Sequence, residues 1–264
     1  MKSLPKAQVV GKLPLLACRA CGAIASPTGP TESFILFQAK TDTRIDLVIF
    51  DCDGVLIDSE LLSSGILMEL MAEVGLPITQ QIFRSDFLGR SFASASAQAE
   101  KRLGKPFPPD FNLQYRARLL ARMKGNLHAM PGTHDVLRAM SVPFCLATSS
   151  SPPRLAVSME ESGLGPFFEG RKYTSNMVPN GKPAPDLMFH AAASMGAAPQ
   201  NCLVIEDSEM GLRAGLAAGM QVWHFTGGGH LRDGFTLPPD VRPHRRLDSM
   251  AALHEAFREI GIAA

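Results

Sequence analysis

Apolar residues along this chain change period several times, and the changes predict its elements. Leu47-Val48-Ile49-Phe50 is a continuous apolar run, the length of a strand buried on both faces. From Leu62 the period becomes helical: Leu62, Ile66, Leu70 and Val74, joined by Leu67 and Met71, form an i, i+4 stripe that Gly75 ends. Thr79 predicts a capped helix through Phe87, Ser91 another running to Leu103 and stopped by Gly104, and Asp110 a longer one carrying Phe111, Tyr115, Leu119, Leu120 and Met123. Roughly 70 residues of helical pattern therefore separate the first strand from the next, a helical insertion over 60–128.

After Pro131-Gly132-Thr133, which restarts a helix through Met140, strands and helices alternate. Pro143 to Ala147, Phe167 to Tyr173, Cys202 to Ile205 and Gln221 to Phe225 are the predicted strands, the last of these closing the sheet. Ser151 to Gly163, Pro185 to Met195 and Ser208 to Ala218 are the helices between them, and Leu253, Phe257 and Ile260 mark a terminal amphipathic helix. Such alternation implies an α/β fold with a parallel sheet and helices on both faces. Ligands then bind at the carboxyl ends of the strands.

Polar groups that do not fit a core collect at those ends. Asp51 and Asp53 close the first strand, and on an extended backbone that spacing points both acids to one side; Gly54 lets the chain turn away. Buried acids need a compensating cation or proton. A calcium loop is excluded, because an oxygen ligand would be needed where Val55 stands. Thr148-Ser149-Ser150 follows the second strand and precedes a helix, which suits either an anion site or a plain helix cap. Lys182 sits in Gly181-Lys182-Pro183-Ala184-Pro185-Asp186, which is not a P-loop because Pro follows the Lys. Glu206 and Asp207 end the strand Cys202 to Ile205. Four acids against one Lys call for a hard cation with oxygen ligands, and Mg²⁺ suits them best.

Taken together these stretches resemble the haloacid dehalogenase superfamily, mostly Mg²⁺-dependent phosphatases and including the β-phosphoglucomutase-like group. Asp51-x-Asp53-Gly54-Val55-Leu56-x-Asp58-Ser59 is similar to its first motif, Thr148 to its second, Lys182-Pro183 to its third and Glu206-Asp207 to its fourth. The resemblance implies a Rossmann-like core, 45–59 with 129–264, and a small helical cap domain, 60–128. It implies an aspartyl-phosphate formed on Asp51, proton transfer by Asp53, and stabilisation of the phosphoryl oxygens by Lys182 and Thr148, with Ser149 beside them. It implies Mg²⁺ held by Asp51, Asp207 and the Asp53 carbonyl, with Glu206 as ligand or as holder of a coordinated water. Gly89-Arg90-Ser91 resembles the cap loop that faces the site in sugar-phosphate phosphatases, which makes Arg90 the candidate specificity residue. Mutases of the group carry a His shortly after the Asp-Ser pair; here Ser63 stands there, which favours hydrolysis. The expected substrate is a small phosphate ester, a sugar or sugar-acid phosphate. A phosphate-sensing module on the same fold is the reading from another class.

Composition narrows the picture further. With 264 residues, 45% of them hydrophobic, the chain has core enough for one large or two modest domains. A net charge of +1 gives no basic field for nucleic acid, and no apolar run approaches a membrane span. Cys52, Cys145 and Cys202 fall in or beside strands and read as small buried hydrophobes; an odd count of five suits a reducing, cytoplasmic setting. A monomer or weak homodimer is expected. His224 and His230, flanking Gly227-Gly228-Gly229, are expected as loop residues without ligand roles, and Pro243-His244-Arg245-Arg246 as solvated surface.

Residues 1–44 follow no period; they are basic before Glu32 and rich in Pro and Gly. They fit a disordered extension or an open reading frame begun upstream of the native start, ahead of a targeting segment. Cys18 and Cys21 form a lone pair without the two further ligands that zinc needs. A chain shortened to begin at Arg44 should match the full chain in melting temperature and turnover; a clear fall in either would show that the segment packs on the domain.

Overall fold

The computed structural model describes residues 44–90, 92–232 and 236–264. The expectations for the first 43 residues and for a cap at Ser91 lie outside them.

Six strands form one parallel sheet in the order β3-β2-β1-β4-β5-β6. They are β1 (Leu47–Phe50), β2 (Phe144–Thr148), β3 (Lys172–Thr174), β4 (Cys202–Glu206), β5 (Gln221–Phe225) and β6 (Arg245–Leu247). Alternate residues of the strands serve opposite faces. Val48, Phe50, Leu146, Leu203, Ile205, Trp223 and Phe225 enter one apolar cluster, while Leu47, Ile49, Cys145, Ala147, Val204 and Val222 enter another. Being buried on both faces is why these strands read as unbroken apolar runs. The first cluster takes in α5 (Thr133–Ala139), α6 (Pro152–Glu161) and α9 (Met250–Glu259), and the second α7 (Asp186–Ser194) and α8 (Glu209–Ala217).

The helical pattern after β1 becomes α1 (Glu60–Glu73), α2 (Gln80–Asp86), α3 (Phe92–Leu103) and α4 (Phe111–Met123). Thr79 caps α2 by accepting from the Ile82 amide. Asp110 precedes α4 but does not cap it; its carboxylate accepts from the Gln114 side chain instead. Ile66, Leu67, Leu70 and Met71 of α1 and Tyr115, Leu119 and Met123 of α4 extend the first cluster without a break, so the insertion shares its apolar interior with the sheet. No helix among the described residues is long and apolar enough to cross a membrane.

Several expectations need correction. The sheet does not end at β5: the basic run expected as solvated surface supplies β6, whose Arg245 pairs with Glu259 and lies over the Trp223 ring. The strand placed at Phe167 to Tyr173 begins only at Lys172, because Gly165–Phe168 winds into a 3-10 turn that drives Phe168 against Phe144. Ile260 lies beyond α9 and is exposed, and Ile262 fills the core there. His224 is a buried strand residue rather than a loop residue, and its Nε2 is 3.2 Å from the Asp207 carbonyl. His230 sits in a 3-10 turn and is also buried. The cysteine reading holds for Cys52, Cys145 and Cys202, which are buried and free; Cys18 and Cys21 lie outside the described residues.

Burial pushes the His224 imidazole from its ordinary 6.5 down to about 4. Between those values the unfolded chain binds a proton that the folded chain refuses, so stability falls as pH falls. The loss attributable to His224 reaches about 3 kcal/mol by pH 4. Urea unfolding of the native chain and of His224→Gln at pH 7 and pH 4.5 should show the smaller drop in the variant; parallel drops would refute this account.

Candidate active site

Register carries the scattered polar residues to one level. Phe50 pairs with Leu146 on one side and Ile205 on the other, so Asp51 lies beside Ala147 and Glu206 at the carboxyl end of the sheet. Because β1 is central, its terminal acid is flanked by the ends of both β2 and β4. Lys182, delivered by the Pro-bounded loop before α7, fills the space between. Its Nζ donates to Asp51 Oδ1 at 2.6 Å, to Glu206 Oε1 at 2.5 Å and to the Ala147 carbonyl at 3.1 Å. Three donors meet three acceptors, so the buried ammonium is satisfied.

Two glycines make room for the acids. Gly54 has φ +80°, and a Cβ there would strike the Asp207 carboxylate; a Cβ at Gly211, in the first turn of α8, would strike that of Glu206. Glu206 Oε2 accepts from both the amide and the hydroxyl of Ser208. Burial raises Asp51 well above the ordinary carboxylate value; the Lys182 charge opposes this, while Glu206, Asp207 and Asp53 add to it. Burial does the same to Asp207, with Glu206 and Glu60 contributing.

Asp51, Glu206 and Asp207 each offer an oxygen within 4.8 Å of the others. Asp207 Oδ2 is buried and finds no hydrogen-bond partner among the described residues; His230 Nε2 is 2.9 Å away but poorly aligned. An orphaned buried carboxylate oxygen beside two further carboxylates is the donor set of a hard divalent cation.

Asp53 turns away from this cluster. Its Oδ1 accepts from Ser59 Oγ and from Arg154 Nη2, the latter at 2.7 Å, and its Oδ2 accepts from Ser150 Oγ. Burial alone would raise this carboxyl, but Arg154, Ser150 and Ser59 outweigh it and hold Asp53 below its ordinary value. These three partners were not foreseen. Arg154 carried one local signal: a cation in the first turn of a helix, α6, where the unpaired amides disfavour positive charge.

The remaining candidates border the same cleft of about 360 Å³, which opens between the sheet ends and the helical insertion. Thr148 Oγ1 accepts from the Ser150 amide, the arrangement of a local turn, and leaves its own proton available. Ser149 Oγ donates to the Gly89 carbonyl at 3.1 Å, so it ties the Gly89-Arg90 loop to the end of β2. Arg90 and Arg116 come from the insertion and line the cleft with Phe83, Phe87 and Tyr115. Glu60, the first residue of α1, is buried there and lies 3.8 Å from Arg154.

The chain is similar to known proteins over most of its length. A 6-phosphogluconate phosphatase of Escherichia coli is 29% identical over 218 residues, 81% of this chain and 96% of the relative. Hexitol phosphatase B of the same organism is 26% identical over 187 residues, 69% of this chain and 84% of its own. A HAD family hydrolase from Deinococcus radiodurans, solved with bound phosphate and sodium, superposes with a TM-score of 0.66 at 33% identity, over 84% of this chain and 99% of that one. The family model for haloacid dehalogenase-like hydrolases matches residues 45–219, and the chain belongs to that family.

Proposed function

We propose that this hydrolase is a Mg²⁺-dependent phosphatase acting on a small phosphorylated metabolite, a sugar or sugar-acid phosphate, through an aspartyl-phosphate on Asp51. The observation that carries this reading is the buried Lys182 bridging Asp51 and Glu206 beside the orphaned oxygen of Asp207. The likeness to a 6-phosphogluconate phosphatase and a hexitol phosphatase of Escherichia coli supports the substrate class.

The carboxylates of Asp51, Glu206 and Asp207, with the Asp53 carbonyl, would hold Mg²⁺. When bound, the ion supplies positive charge that favours ionised carboxylates and screens them from an incoming phosphate. The chain's own groups do the rest. An Asp51 oxygen attacks phosphorus and the bond to the leaving oxygen breaks, while Asp53 gives that oxygen a proton. Asp53 then takes a proton from water, whose oxygen attacks the same phosphorus and returns Asp51 as carboxylate. Lys182 offers fixed positive charge to the transferring group, and Thr148 and Ser149 line its approach. The ionised state in which Arg154 holds Asp53 suits the second half-reaction; the first requires Asp53 to leave that contact and to take up a proton from solvent before it donates.

Residues 60–128 would act as a cap over the core 45–59 and 129–264, with Arg90 facing the leaving group. Hydrolysis is favoured over phosphoryl relay because no histidine lines the cleft among the described residues, and Ser63, at the mutase position, donates to Glu60. A monomer or weak homodimer in the cytoplasm fits a chain with net charge +1 and no call for nucleic acid.

Asp51→Asn keeps the side-chain volume but removes the attacking carboxylate; turnover of any phosphate ester should fall by at least roughly 1,000-fold with the fold retained by circular dichroism. Substantial residual turnover would sink the assignment. Chelation of the native enzyme should abolish hydrolysis and added MgCl₂ restore it; hydrolysis that survives exhaustive chelation would exclude the metal role of the three acids.

A further inference from the structure

Two cations meet acids in the cleft, the buried Lys182 and a partly buried arginine, and the family-like motifs explain only Lys182. Arg154 is the other. Its side chain is 17% exposed, with Nη2 at 2.7 Å from Asp53 Oδ1, 3.4 Å from Ser59 Oγ and 3.8 Å from Glu60 Oε1. Its Nε is buried and has no hydrogen-bond partner among the described residues. A guanidinium is a rigid fork of five donors, so an edge of Arg154 remains to be matched. Arg90 and Arg116 line the same cleft and form no ion pair among the described residues. Away from Asp51, the cleft therefore holds three guanidiniums, with Asp53 and Glu60 as the acids facing them.

Asp53 cannot reach a leaving oxygen while both its carboxylate oxygens are tied to the protein. Ser59 and Ser150 hold it with short side chains fixed to the backbone. Arg154 holds it with a long one that has somewhere else to go. Only an anion offers that cation a better partner, and it must come with the substrate, beyond the phosphoryl group. Glu60, beside the same guanidinium, disfavours a doubly charged group, so a carboxylate fits better than a second phosphate.

We propose that Arg154 recognises a carboxylate on the leaving group, and that its turn toward that carboxylate releases Asp53 toward the leaving oxygen. The proposal rests on the phosphatase reading and narrows its substrate to phosphate esters of sugar acids. Arg154 is thus a specificity residue for the carboxylate and a positioning residue for Asp53.

The test uses the full chain with Mg²⁺ and two open-chain esters of one carbon skeleton, 6-phosphogluconate and glucitol 6-phosphate, which differ in carrying a carboxylate or a hydroxymethyl group at C1. The native enzyme should prefer the acid, and Arg154→Ala should lower the ratio of kcat/KM between the two esters by roughly 10- to 100-fold. Arg154→Lys, which keeps a cation beside Asp53 and Glu60, should recover part of that ratio, and it carries the comparison if the alanine variant does not fold. An unchanged ratio in both variants, or a native enzyme indifferent to the carboxylate, would overturn the proposal while leaving the phosphatase standing. So would a preference for fructose 1,6-bisphosphate over both esters that the variants abolish. A folded native chain that turns over none of these esters would overturn this inference, and one that also fails on a generic aryl phosphate would bring down the phosphatase reading with it.

Discussion

The structure depends on burying carboxylates at the mouth of a single sheet. Asp51, Asp53, Glu206 and Asp207 are all at most 8% exposed, and an isolated ionised carboxylate out of water is unfavourable by several kcal/mol. Neighbouring features follow from how that charge is offset. Lys182 is placed between two acids that belong to different strands, which requires β1 and β4 to be adjacent and in register. Glycines pass close to Asp207 and Glu206, and a methyl group at Gly54 or Gly211 would overlap a carboxylate. Ser208 spends its amide and hydroxyl on Glu206 while its oxygen also caps α8. What protein groups leave uncompensated is the proton affinity of Asp51 and the Asp207 Oδ2, to which no described residue donates, and one added positive charge would offset both.

Elements with their own strong pattern were legible in the chain. β1 and β4 are apolar runs because both faces of the sheet are covered, and α1 is a stripe because only one of its faces is. The failures share a cause of the opposite kind. β6 is an Arg-Arg-Leu edge strand held by backbone pairing to β5 and by the stacking of Arg245 on Trp223, neither of which leaves a period in three residues. The 3-10 turn before β3 is decided by where Phe168 must go to meet Phe144, a partner more than twenty residues away along the chain. His224 and His230 are indistinguishable from loop histidines until the sheet buries them, because burial is a property of what packs above a residue and not of its neighbours in sequence.

The site divides in the same way. Asp51, Asp53, Thr148, Lys182, Glu206 and Asp207 each follow a strand or precede a helix closely enough for local pattern to place them, although their roles rest on the family resemblance. The bonds of Arg154, Ser150 and Ser59 to Asp53 do not announce themselves. Ser150 and Arg154 reach Asp53 across roughly a hundred residues, and Ser59, although it stands in the first motif, gives no sign there of its partner. The chain did hold one clue, a cation where the amides of a helix N-terminus repel it; α6 tolerates Arg154 there because Asp53 and Glu60 stand opposite.

Two acids only two residues apart thus end with opposite proton affinities. Lys182 is shared by Asp51 and Glu206, and its single charge does not outweigh burial and three neighbouring acids, so Asp51 is raised. Arg154 and two hydroxyls converge on Asp53, so Asp53 is lowered. Sequence spacing places both acids at one strand end, but partners from β2, α6 and the loop before α7 set them apart. The proposed nucleophile and the proposed proton carrier are thus set apart in proton affinity by their partners. Here the sense of the push suits the proposed divalent cation: its charge would favour the ionised form of Asp51, while the Arg154 contact favours the ionised form of Asp53.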